Sequence, residues 1–330
     1  MVPRVLVIGV GSIGHRHLRC FGITQRATLS ICEANTSLKN ELAAQYDVEQ
    51  AFDSLDEALQ DPPDIAVICT PAHLHVAMAR QLVAAGVHVL IEKPLGTSLD
   101  GVEALAEEAR QQGRVVGVAY VLRFNPLLVT LRELIATERY GKPVQLTVVT
   151  GQNFPFYRPA YRDTYYKDRA TGGGAIQDGL THIVNACQWI FGDIQSLVAD
   201  ADHKILEGVT VEDTVHLIAR HGNTMASYSM NQHQAPNEST LTVNCTAGTI
   251  RCVFHEQRLQ VMEAPEQPWQ TLQETSLERD DVFITQAHGF LDAATNDQPV
   301  SCTLQEARQT LQANLAILQS VDAGFDRFAY

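Results

Sequence analysis

The chain predicts an α/β protein in which a doubly wound parallel sheet is followed by a second α/β domain built on a large, mainly antiparallel sheet. Three observations carry this expectation. The glycine-rich loop Gly9-Val10-Gly11-Ser12-Ile13-Gly14 follows the apolar run Val5-Leu6-Val7-Ile8. Continuous apolar runs at 65–69 and 87–91 alternate with helical periodicity, as parallel strands covered on both faces require. In the second half the pattern changes to strands joined by tight glycine turns.

Taken in order, the first strand enters the glycine loop and the loop enters a helix at 13–21. In such a strand–turn–helix the first glycine permits the turn, the second lets backbone amides approach a pyrophosphate, and the third allows helix and strand to pack closely. A second strand at 28–32 ends in Glu33, near the offset of about 20 residues at which an acid holds the adenosine ribose hydroxyls. This is the pattern of a Rossmann domain. Gly9, Gly11, Ser12, Ile13, Gly14 and Glu33 are therefore candidate cofactor residues. Glu33 would repel a ribose phosphate and no arginine follows it in Ala34-Asn35-Thr36-Ser37, which favours NAD over NADP, although Lys39 lies nearby. Helices at 37–46 and 55–60 precede the strand at 65–69, which Thr70-Pro71 ends; a helix at 75–85 leads to the strand at 87–91 and then to Glu92-Lys93-Pro94. Ligands bind at the carboxyl ends of strands in open α/β sheets, so Lys93 is a candidate catalytic cation. The isomer of the Lys93-Pro94 bond is open from sequence. A helix at 99–112 and a strand at 115–119 complete a domain of residues 1–120, and residues 121–330 form the second. Pro126 is placed to start a helix.

Strands are expected at 143–151, 197–203, 214–221, 224–232, 239–246, 249–254 and 259–263, with turns at His221-Gly222-Asn223 and Ala247-Gly248 making a meander. Gly172-Gly173-Gly174 precedes a helix whose apolar positions run from Ile176 to Phe191. Asp178, His182, Asn185 and Trp189 recur at steps of four, three and four, which puts a carboxylate beside an imidazole on one helical face. A histidine oriented by a carboxylate is suited to removing a hydroxyl proton. Between 156 and 169 the cations Arg158, Arg162, Lys167 and Arg169 outnumber Asp163 and Asp168, with Tyr157 beside them. Such a segment suits either a carboxylated or heavily hydroxylated ligand or a packing interface. A last helix begins with the capping box Thr303-Leu304-Gln305-Glu306.

Composition narrows the function. A net charge of −14 excludes nucleic acid and anionic membrane surfaces as expected partners. No run approaches the roughly 20 apolar residues of a membrane span, and the first apolar run passes directly into the glycine loop, so a cytoplasmic location is expected. The 7 cysteines form no C-x-x-C pair, which suits reduced thiols, and no metal is expected.

Together Gly9 to Gly14, Glu33, Thr70-Pro71 with His75, Glu92-Lys93-Pro94, Arg123-Phe124-Asn125-Pro126 and the triple glycine followed by Asp178 and His182 resemble the glucose-fructose oxidoreductase, inositol dehydrogenase and rhizopine-catabolism (Gfo/Idh/MocA) family over nearly the whole length. The resemblance implies an NAD(P)-dependent oxidoreductase acting on a sugar, sugar acid or cyclitol. It implies an open-faced sheet through which a homodimer or homotetramer assembles. It also implies a catalytic group of Lys93, Asp178 and His182. By the same resemblance Thr70, Pro71, His75 and Glu92 join the cofactor residues. Tyr120, Arg123, Tyr157 and Arg158 join Asp178 and His182 as substrate residues. Two alternatives remain open: redox-assisted glycoside hydrolysis with transient use of bound NAD, and a non-catalytic NAD(H) sensor.

Overall fold

A computed structural model describes residues 2–324. The chain divides into two compact units: one takes the chain up to Phe124 and again Glu278–Arg308, the other Asn125–Leu277 and the chain from Gln309 onward. A boundary near residue 120 was expected with no return. The chain comes back because the helix Asp281–Thr295 supplies Ala287, Phe290 and Leu291 to the first unit's core, beside Leu18, Phe21 and Leu29.

The first unit is a six-stranded parallel sheet, built from β1 (Arg4–Ile8), β2 (Thr28–Cys32), β3 (Val48–Phe52), β4 (Ile65–Ile68), β5 (His88–Ile91) and β6 (Val116–Val118) in the order β3-β2-β1-β4-β5-β6. The order reverses between β1 and β4, which is the switch point where a doubly wound sheet opens a ligand crevice. Its helices are α1 (Ser12–Thr24), α2 (Thr36–Gln45), α3 (Leu55–Ala58), α4 (His75–Ala84) and α5 (Val102–Gln112). Beyond Arg4 and His88, which start β1 and β5, the central strands β1, β4 and β5 are apolar and buried, as their hydrophobic runs demand. β3 was not anticipated. Its sequence Val-Glu-Gln-Ala-Phe has no apolar run because it sits at the sheet edge with Glu49 and Gln50 exposed.

The second unit opens with α6 (Pro126–Ala136), started by Pro126 and capped by the Asn125 side chain, which accepts from Leu127 N at 2.9 Å. Then follow β7 (Pro143–Gly151), the short α7 (Phe154–Tyr157) and α8 (Thr181–Phe191). The remaining strands are β8 (Ile194–Asp202), β9 (Thr214–His221), β10 (Thr224–Asn231), β11 (Glu238–Cys245), β12 (Gly248–Val253), β13 (Arg258–Met262) and β14 (Gln270–Glu274). The eight-stranded sheet has the order β14-β13-β12-β11-β7-β10-β9-β8. It is not the simple meander expected: β7 is inserted between β11 and β10 and runs parallel to β10. One face stays outward. On β9, Val215, Leu217 and Ala219 are buried while His216, Ile218 and Arg220 between them are exposed. The chain continues as α9 (Asp281–Thr295) and α10 (Leu304–Ala323). Among the described residues no helix is long and apolar enough to cross a membrane.

Candidate active site

In the first unit the glycine loop has the geometry its sequence implies. Gly9 adopts a φ of 79° and donates its N–H to Cys32 O at 2.8 Å, fastening the loop to β2. A Cβ at Gly14 would lie 1.9 Å from Gly9 O, so loop and helix touch backbone to backbone. A Cβ at Gly11 would meet nothing within 4 Å. That open ground lies at the start of α1, where the backbone amides and the dipole of a helix N-terminus favour a phosphate. Glu33 leaves the end of β2 with Oε2 accepting from Val10 N and Oε1 from Asn35 N, both at 2.9 Å. Its carboxylate therefore sits against the glycine loop, where a ribose diol would find it. Lys39, the cation that could have favoured a ribose phosphate, is buried and paired with Asp53 at 2.6 Å. The residues fit NAD.

Other expected cofactor residues have different surroundings. The His75 ring is buried, with Nδ1 2.9 Å from Pro94 O and Nε2 2.7 Å from Thr70 O, so it braces the end of β4 against the Lys93–Pro94 turn. Burial pushes its pKa down, against the pull of the two carbonyls and Glu92. Glu92 is also buried: Oε1 accepts from His17 Nε2 at 2.6 Å and Oε2 from Lys93 N at 3.0 Å. Both side chains support the loop. The Lys93–Pro94 peptide is cis, and Lys93 itself is partly exposed.

Two expected substrate residues lie inside the first unit. Tyr120 is buried at the end of β6. Arg123 is buried too, donating Nη1 to Ser301 O at 2.7 Å and to Glu306 Oε1 at 2.6 Å. The capping box at Thr303 thus has a second use: Glu306 closes the helix start through Thr303 N at 2.9 Å and neutralises a buried guanidinium.

In the second unit Gly173 and Gly174 are sterically required. A Cβ at Gly173 would lie 2.1 Å from Tyr166 O, and one at Gly174, whose φ is 90°, would lie 2.4 Å from Glu212 Oε1. Glu212 also accepts from Ile176 N at 3.1 Å and from Arg169 Nε at 2.8 Å, so a buried carboxylate holds the start of the helix. The first turn, Ile176–Leu180, is π-helical, with Thr181 N reaching Ile176 O. Regular α-helical spacing, assumed in placing Asp178, His182, Asn185 and Trp189 on one face, does not hold through this turn. Asp178 Oδ1 accepts from Tyr165 Oη at 2.7 Å. Asn185 is buried against α10 and donates to Thr310 Oγ1 at 2.9 Å. Trp189 lies under the Arg132 guanidinium at 4.6 Å. Packing accounts for the last two, while Asp178 and His182 are both partly exposed.

The cationic segment also resolves. Arg162 donates to Glu207 O at 2.8 Å and pairs with the Glu207 carboxylate, while Arg169 pairs with Glu212 and Asp322. Those two arginines serve the fold. Tyr157 and Arg158 are exposed, Tyr157 with its ring edge-on to Phe156 at 5.1 Å. Tyr165 belongs to the same segment, and the sequence did not single it out from its neighbours. It stood in the run Tyr165-Tyr166-Lys167, where no periodicity separates a buried tyrosine from an outward one.

Known proteins match both halves of the chain. Residues 3–120 match the family described as "Oxidoreductase family, NAD-binding Rossmann fold", and residues 128–251 match the GFO/IDH/MocA C-terminal domain. An uncharacterized oxidoreductase of Synechocystis sp. is 30% identical over 64% of this chain and 60% of its own length. The chain thus spans less than two thirds of that relative. Levoglucosan dehydrogenase of Pseudarthrobacter phenanthrenivorans is 26% identical over 72% of this chain and 68% of its own. A solved levoglucosan dehydrogenase in complex with NADH superimposes with a TM-score of 0.87 over 97% of both chains at 22% identity, which shows a shared fold. With a glycine cradle shaped for a dinucleotide, and both domains matched, the chain belongs to the Gfo/Idh/MocA family of oxidoreductases and carries its NAD-binding Rossmann domain.

Proposed function

We propose that the protein is an NAD-dependent dehydrogenase acting on a secondary alcohol of a sugar, sugar acid or cyclitol. The observation that carries the reading is the helix start at Ile176, where a triple-glycine turn and a buried glutamate present a partly exposed carboxylate and imidazole four residues apart. Gly9, Gly11, Ser12, Ile13, Gly14 and Glu33 would hold NAD, with Thr70 and Pro71 beside the loop. When bound, NAD supplies the hydride acceptor. His182 accepts the proton of the substrate hydroxyl, Asp178 orients the imidazole, and the Lys93 ammonium stabilises the developing alkoxide. The names of the relatives, which include levoglucosan and inositol dehydrogenases, support a polyhydroxylated substrate. Exposed Val149, Ile218 and Met225 on the outward face of the second sheet support self-association through that face.

The test is absorbance at the reduced nicotinamide band with NAD and with NADP, over myo-inositol, levoglucosan and a set of sugar acids. Substrate-dependent reduction that is lost in Lys93→Met and His182→Ala sustains the reading. Release of free sugar without net reduction would instead identify a hydrolase. Native mass spectrometry reads the assembly.

A further inference from the structure

Residues 154–171 contain no long helix or strand, yet the segment is fastened along its length. Tyr166 points inward, stacked on Phe154 at 4.6 Å within a buried cluster that includes Tyr161, Leu206, Val209 and Val211, and its hydroxyl donates to Gln232. Its carbonyl accepts from Gly174 N at 3.2 Å. The preceding carbonyl, that of Tyr165, accepts from Thr171 Oγ1 at 2.7 Å. With Tyr166 and its own carbonyl pinned, Tyr165 is 40% exposed, and its hydroxyl reaches Asp178 Oδ1 at 2.7 Å. A short aspartate on a π turn has rotamer freedom to lose, and a rigidly mounted phenol removes it.

We propose that Tyr165 is a positioning residue for Asp178, holding that carboxylate in the one orientation in which it can align His182. The inference rests on the dehydrogenase reading, in which Asp178 serves the proton transfer. A charge-assisted hydrogen bond of this kind accounts for about a tenfold effect on turnover.

The experiment uses the full chain, its Tyr165→Phe and Asp178→Asn variants and the double variant. First, protein labelled with 13C at the tyrosine Cζ is observed without substrate. The resonance missing from Tyr165→Phe is expected to be displaced in Asp178→Asn, and an undisplaced resonance overturns the proposal. Second, NAD reduction is followed with myo-inositol and levoglucosan. Tyr165→Phe is expected to lower kcat about tenfold with KM nearly unchanged and the melting temperature unaltered, and to cost nothing further in the Asp178→Asn background. Losses that multiply in the double variant overturn it. Full turnover in Asp178→Asn would sink the dehydrogenase reading itself, whereas a large loss there with none in Tyr165→Phe would sink only the role of Tyr165. Should neither polyol be turned over, the labelled-tyrosine spectrum decides whether the phenol holds Asp178.

Discussion

His17 Nε2 donates to Glu92 Oε1 at 2.6 Å, and the two residues are 1% and 5% exposed. This contact joins the helix that follows the glycine loop to the peptide that carries Lys93, since the other Glu92 oxygen accepts from Lys93 N. Removing one partner of a buried pair leaves the other desolvated. His17→Ala is therefore expected to lower the unfolding free energy by about 3 kcal/mol, read from urea denaturation.

Gly11 and Gly14 share one motif but fail differently. At Gly14 an added methyl collides with backbone, so Gly14→Ala is expected to lose folded protein or NAD binding together, seen in melting curves and calorimetric titration. At Gly11 the methyl meets no protein atom. Gly11→Ala should fold with an unchanged melting temperature yet bind NAD at least about tenfold more weakly, because the methyl intrudes where backbone must approach the pyrophosphate.

Glu33 should set cofactor choice. Glu33→Ala removes the acceptor for the ribose hydroxyls and the charge that repels a ribose phosphate. The expected outcome is a rise of about tenfold in the Kd for NAD and a narrowed preference over NADP, measured by titrating both.

Asp213 gives a dependence on pH. Burial pushes its pKa up, but hydrogen bonds from Leu206 N, Ile205 N, the Thr214 hydroxyl and Lys204 N outweigh burial and hold it below the ordinary carboxylate value. A group with a depressed folded pKa contributes stability that is complete above its unfolded value and is lost as pH falls through the folded one. The contribution is thus present above about pH 4 and disappears below it. Asp213→Asn is expected to destabilise the protein at neutral pH and to flatten the acid side of its stability profile, followed by denaturation from pH 2 to 7.

For the proposed chemistry, His182→Ala should lower kcat by a factor of about 10² to 10⁴ and distort the pH–rate profile, with NAD affinity retained. Lys93→Met should cost a comparable factor. Full activity in either variant, in steady-state assays with a turned-over polyol, would remove that residue from the mechanism.

Where side chains announce themselves by period or by glycine, the chain alone determined the outcome. The unbroken apolar runs specify buried parallel strands, the three glycines of the first loop specify its turn and helix, and Glu33 lies at the end of β2 as its spacing requires. Two of the four edge strands escaped because an exposed strand needs no apolar pattern: β3 and β14, both at sheet margins and polar, were not among the expected strands. Only the tertiary structure decided which polar residues are partners of one another. Arg123 and Glu306 lie 183 positions apart, and Arg169 and Asp322 lie 153 apart. No local pattern encodes such pairs, because they depend on where the chain returns. The same holds for Asp178 and Tyr165, 13 residues apart across a glycine turn and a π-helical start. Local spacing predicts neighbours only where the helix is regular, and here the site departs from regularity.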